Sequence, residues 1–161
     1  MRLALLLVAA CASCAASPPP RPSPPLQPRW PDLHLLAGAW TGTTGTTSVT
    51  VTFTPIANAS ALAETFGGPG RQTMTLYHRD HDSLVATHYC AQGNQPRLRA
   101  TTHDNNRVVF TEADITDLDP TEAHLVEMTF ELGTHAFERV EVYRQPDGSL
   151  ERTRWHFERA N

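Results

Sequence analysis

The sequence predicts an all-β domain, a single antiparallel β-barrel of about 8 to 10 strands with a short N-terminal helical turn. Three observations predict it. Apolar and polar residues alternate with period two through most of residues 38–159, the pattern of strands with one buried face. Valine, threonine and aromatic residues, all strand formers, fill these runs. Clusters with turn chemistry separate them: Gly67-Gly68-Pro69-Gly70, Asp80-His81-Asp82, Asp104-Asn105-Asn106 and Pro146-Asp147-Gly148.

Taken in order, Pro31 to Ala37 can form one helical turn that closes a barrel end, with Asp32 near its start. Val49, Val51 and Phe53 then alternate with threonines. Runs follow on Leu62, Glu64 and Phe66; on Met74, Leu76 and His78; and on Leu84, Ala86, His88 and Cys90. Leu98, Ala100 and Thr102 come next, then Val108 and Phe110, then His124, Val126, Met128 and Phe130. Val140 with Val142, and Trp155 with Phe157, end the chain. These make nine strands, or ten if Trp40 to Thr44 forms its own. Asp119-Pro120-Thr121 starts a loop or short turn.

The first 31 residues read differently. Met1-Arg2 and the apolar run Leu3 to Ala10 are too short for a bilayer span, which needs about 20 apolar residues. A basic start, an apolar run and small residues make residues 1–16 an export signal. Val8-Ala9-Ala10-Cys11 resembles the bacterial lipobox, whose cysteine is lipidated, so Cys11 is the expected lipidation site; Cys14 and cleavage after Ala16 are the alternatives. Residues 17–31 hold eight of the 13 prolines and predict a semi-rigid polyproline II tether, roughly 40 Å long at about 3.1 Å per residue. The barrel domain is then residues 32–161. The expected address is the periplasm or cell envelope, with the membrane reached through the N-terminal lipid.

At 161 residues the chain suffices for one domain. All 13 basic residues are arginine, against 17 acidic ones, for a net charge of −4. That balance excludes an electropositive nucleic-acid surface. Three cysteines, two of them in the leader region, give no disulfide framework. No HExxH, CxxC, P-loop or Gly-x-Ser-x-Gly sequence is present, so no reaction is indicated and enzymatic activity stays open, with binding preferred.

If each apolar phase faces inward, polar residues go with it. Glu64, His78, His88, Cys90 and His124 are then inward groups that need hydrogen-bond partners or a ligand. Each also has a plain reading as a satisfied core residue, Cys90 as a small hydrophobe. Asn94 and Gln95, between Gly93 and Pro96, make either a tight corner or a rim that recognises a polar group, with Arg97 as an anion clamp.

Two stretches carry a resemblance. Gly38-Ala39-Trp40, just before the first strand, resembles the Gly-x-Trp of lipocalins and other calycin barrels, whose tryptophan plugs one barrel end. Thr87-His88-Tyr89-Cys90-Ala91-Gln92-Gly93-Asn94-Gln95-Pro96-Arg97, within residues 33–159, resembles bacterial lipocalin-like proteins of the DUF1579 type. The resemblance implies a calycin-like barrel and no particular reaction. Haem-binding nitrobindin barrels are more distantly similar. Their glycine run departs from Gly38-Ala39-Trp40-Thr41-Gly42-Thr43-Thr44-Gly45, and the late histidine here, His156, alternates with Trp155 and Phe157 and so faces out.

The expectation is therefore a barrel that binds a small, largely apolar or amphipathic molecule. Trp40, Leu76 and Met128 supply apolar lining, with Leu62, Phe66 and Phe130; Glu64, His88, Cys90, Asn94, Arg97 and His124 supply polar contacts. Small residues at Ala61, Ala63, Ala86, Ala100 and Thr102 leave room inside. No cofactor is expected. Two alternatives remain: a haem or metal barrel using His124 or His156, and a structural lipoprotein without ligand.

Overall fold

A computed structural model describes residues 33–68, 70–103 and 106–160. The expected signal segment, Cys11, Cys14, the proline tether and Asp32 lie outside them. One 3-10 turn, Leu33–Leu36, precedes ten strands: β1 Gly38–Thr44, β2 Thr47–Ile56, β3 Ala61–Phe66, β4 Thr73–Asp80, β5 Ser83–Tyr89, β6 Gln95–His103, β7 Arg107–Thr116, β8 His124–Leu132, β9 Ala136–Arg144 and β10 Leu150–Arg159. Every strand pairs antiparallel with its chain neighbour, and β1 closes on β10, giving a closed ten-stranded barrel. The expected all-β barrel with one helical turn is thus the observed fold, and Trp40 to Thr44 does lie in a strand of its own. Closure gives every strand a paired neighbour on both sides over at least part of its length. No helix among the described residues is long and apolar enough to cross a membrane.

The up-and-down order puts the helical turn at one end of the barrel, with the starts of the odd-numbered strands. The loops 67–72, 90–94, 117–123 and 145–149 lie at the other end.

The end beside the helical turn is apolar and sealed, and Gly38-Ala39-Trp40-Thr41-Gly42 explains how. Trp40 is buried, and its Nε1 donates to Leu36 O at 2.6 Å, tying the plug to the helical turn. Arg159, its register partner on β10, lies over the indole at 4.1 Å and donates to Ala37 O and Leu35 O. Gly38 has φ +117°, and a Cβ there would lie 2.7 Å from Arg159 Nη1. A Cβ on Gly42 would lie 2.3 Å from the Phe157 ring. Both glycines therefore make room for C-terminal side chains. Phe157 stacks on Phe137 at 4.5 Å, and Trp40 meets Phe137 edge-on at 4.9 Å. With Phe53 and Phe130 these rings form a dry aromatic floor.

Two strand phases differ from the sequence expectation. On β4 the buried residues are Thr75 and Tyr77, while Met74 and His78 are exposed and Leu76 is half-buried on the outer phase. On β9 the residues of the inward phase are Phe137, Arg139, Glu141 and Tyr143. Val140 and Val142 are buried on the outer phase instead. Their register partners Arg154 and Arg152 sit beside them and reach acids on β9 and, across it, on β8: Arg154 to Glu138 at 3.8 Å and Arg152 to Glu127 at 3.7 Å. Long arginine stems cover the valines while their heads stay wet. A third difference is a bulge on β8 between Leu125 and Glu127. It brings Leu125, rather than Val126, into the core with Met128 and Phe130.

Candidate functional site

The polar interior is built from the other half of the barrel. Glu64 on β3 follows Leu62 on the inward phase and is buried. Its Oε2 accepts from Tyr77 Oη at 2.5 Å, and its Oε1 accepts from Arg139 Nη1 on β9. Tyr77 Oη also lies 3.6 Å from Met128 Sδ. Arg139 Nη2 lies 3.1 Å from Glu141 Oε1, and the guanidinium carbon sits 4.7 Å from the Phe66 ring and 5.1 Å from the Phe157 ring. One cation is thus held between two carboxylates and two aromatic faces. Cation–π contact, the hydrogen bond to Glu64 and the ion pair with Glu141 offset the cost of removing it from water.

Burial sets the protonation of the neighbours. It pushes the Tyr77 hydroxyl well above its ordinary range, reinforced by Glu64, so Tyr77 stays a donor. Burial also raises the Glu141 carboxyl; Arg139 counteracts this, and Glu64 adds to it. The guanidinium stays charged, because Glu141 and Glu64 outweigh its own desolvation.

A second group sits beside the first. His88 on β5 is buried, with Nδ1 2.9 Å from Thr75 Oγ1 and Nε2 3.3 Å from Tyr143 Oη. Desolvation lowers its pKa to about 4, so the imidazole is neutral at physiological pH. Burial raises the Tyr143 hydroxyl, so Tyr143 is protonated. Both ring nitrogens are engaged. Cys90 is half-buried, and its thiol is pushed up, chiefly by burial, away from the thiolate form. Among the described residues no group of three or more His, Cys, Asp or Glu is arranged to hold a metal ion.

The remaining expected site residues fall elsewhere. Arg97 is exposed on the outer face in a two-point pair with Asp114, both contacts 2.7 Å, so it does not reach the interior. Leu76 and His78 lie on the outer phase of β4, as described above. Trp40 lies in the sealed floor. His124 is buried at the start of β8, 3.6 Å from Glu112, and the bulge takes it off the phase of Met128. Ala86 and Ala100 are buried, whereas Ala61 and Ala63 alternate with inward Leu62 and Glu64. His156 faces out and bonds Glu138 at 2.6 Å. Asn94 is fully buried and behaves as a corner: its Nδ2 donates to Glu122 Oε2 at 3.0 Å and Ala123 O at 3.1 Å, latching loop 90–94 to loop 117–123.

Glu64, His88 and Met128 are therefore the expected residues that meet inside the barrel. Thr75, Tyr77, Arg139, Glu141, Tyr143 and Trp155 join them, the first five unforeseen as interior polar groups. Phe137 and Tyr143, flanking Arg139 and Glu141 at even spacing, are the sequence signal that marks their phase. No protein-family model matches the chain, and no curated protein matches it.

Proposed function

We propose that this is an exported, lipid-anchored barrel that binds a small amphipathic molecule in its interior. The observation that carries the reading is the division of the interior: a sealed aromatic floor at one end, and buried hydrogen-bonding groups toward the other. Ligand pockets share that make-up, an apolar body with a few convergent polar groups. The molecule's apolar part packs on Phe66, Met128 and the neighbouring rings, and its polar end meets the Glu64–Arg139–Glu141 and His88–Tyr143 groups. The neutral, doubly bonded His88 and the raised Cys90 thiol favour binding over catalysis, because neither is poised as a base or nucleophile. The lipocalin-like resemblance agrees with this reading.

The test is titration of the exported protein with N-phenyl-1-naphthylamine, a neutral apolar fluorophore. The expected result is a saturable, blue-shifted signal that methyl octanoate displaces. His88→Phe should weaken methyl octanoate by about fivefold, roughly one hydrogen bond, with the barrel still folded by circular dichroism. A signal that never saturates, or unchanged competition in the folded variant, overturns the assignment. The anchor is checked separately. Wild-type protein from a bacterial exporting host should partition into the detergent phase, and Cys11→Ser should move it to the aqueous phase; an unaltered partition removes Cys11 as the lipidation site.

A further inference from the structure

Arg139 and Trp155 are direct register partners on β9 and β10. Trp155 is 8% exposed and Arg139 1%. Arg139 Nε and Trp155 Nε1 are both buried, and neither has a hydrogen-bond acceptor within the protein; Arg139 Nη2 has only its ion-pair contact with Glu141. The Trp155 indole lies near enough to the Glu141 carboxyl to lower its pKa through a weak hydrogen-bonding contact, but Nε1 is not aligned on it well enough to be satisfied. Phe66 packs on both, 5.4 Å from the Trp155 ring and 4.7 Å from the guanidinium. The residues next to this pair toward the loop end, Glu141, Tyr143 and Thr153, are partly exposed. Two adjacent orphan donors thus lie one layer below the rim. Buried donors of this kind are ordinarily satisfied, so a pair of them points to an acceptor that comes from outside the chain.

The charge around the pair narrows the acceptor. One guanidinium faces Glu64 and Glu141, so the cluster is neutral when Glu141 is protonated and negative when it is ionised. In neither state is there surplus positive charge for a carboxylate or phosphate. An ammonium group would face two N–H donors and find nothing there to accept its own hydrogens.

We infer that Arg139 Nε and Trp155 Nε1 together hold an uncharged acceptor oxygen of the ligand, a carbonyl, ester or ether. This rests on the interior-binding reading and names its ligand class. It differs from an anion clamp, for which a buried arginine without carboxylate partners would be needed.

The experiment uses the exported full chain loaded with N-phenyl-1-naphthylamine and four competitors of equal chain length: methyl octanoate, octanoate, octylammonium and octane. Methyl octanoate is expected to compete about tenfold better than each of the others, the worth of one to two hydrogen bonds. Trp155→Phe should bring the ratio of methyl octanoate to octane competition close to one. Because that variant disturbs a core ring, a second readout uses wild-type protein: the indole N–H proton resonance of Trp155 should move downfield with methyl octanoate and not with octane. Tighter binding of octanoate or octylammonium, equal competition by all four, or a stationary indole resonance overturns the acceptor assignment while leaving interior binding intact. Failure of the fluorophore and all four competitors to bind overturns the interior reading itself.

Discussion

Arg139→Met is expected to destabilise the barrel by about 3–5 kcal/mol near neutral pH, the cost of leaving a buried carboxylate without its counter-charge. For a domain of this size that lowers the melting temperature by roughly 10 to 20 °C. Methionine fills much of the space between Phe66 and Phe157, so lost packing is the smaller part of the effect. Glu64 keeps the Tyr77 hydroxyl but loses the guanidinium, and Glu141 loses the same cation. A stranded carboxylate is neutralised by taking up a proton. The folded variant then binds more protons than the unfolded chain, so its stability falls as pH rises. The deficit should therefore be smaller at pH 5 than at pH 8. Arg139→Met with Glu64→Gln removes the stranded charge and should recover more than half the loss, because a buried ion pair exchanged for neutral groups of similar size often costs little. Thermal melts of the two variants across pH 5 to 8 check this. A single variant as stable as wild type would mean that the pair is solvated and that the interior is wet at this level.

Gly42→Ala is expected to cost about 1–3 kcal/mol, the range for overpacking a filled core. Gly42 needs no unusual backbone angle; the reason is space. The added methyl would lie 2.3, 2.8 and 2.9 Å from three atoms of the Phe157 ring. That ring is fully buried and stacked on Phe137 with an interplanar angle of 9°, so it cannot swing aside cheaply. Phe157→Leu on the Gly42→Ala background should restore part of the stability, whereas Phe157→Leu alone should destabilise. Denaturant unfolding of the three proteins gives the coupling directly. Additive losses would show that β1 and β10 pack independently there.

Where apolar side chains point inward, the alternation could be read correctly: β3 through Leu62 and Glu64, β5 through Ala86 and His88, β10 through Trp155 and Phe157 all lie as expected. The expectation failed where the outer face is also apolar. On β9, Val140 and Val142 are the stronger hydrophobes, yet arginine stems from β10 cover them outside, and the inward places go to Arg139 and Glu141. On β4, Leu76 outranks Thr75 in hydrophobicity, but Tyr77 belongs inside because its hydroxyl reaches Glu64. The partnership of Glu64 with Arg139 spans 75 residues of chain and leaves no local spacing to detect. The bulge near Leu125 shifts the start of β8 out of phase, which alternation alone does not announce. Of the polar interior, Glu64 and His88 were therefore legible as single residues, and none of it as a network.

Interior binding is tested most directly by native mass spectrometry of the chain purified from a bacterial exporting host, with an absorbance spectrum of the same sample. The account predicts a mass above that of the lipidated polypeptide by one small molecule, lost on collisional activation, without a visible band. A folded protein that carries no added mass and gains none when methyl octanoate is supplied would contradict it.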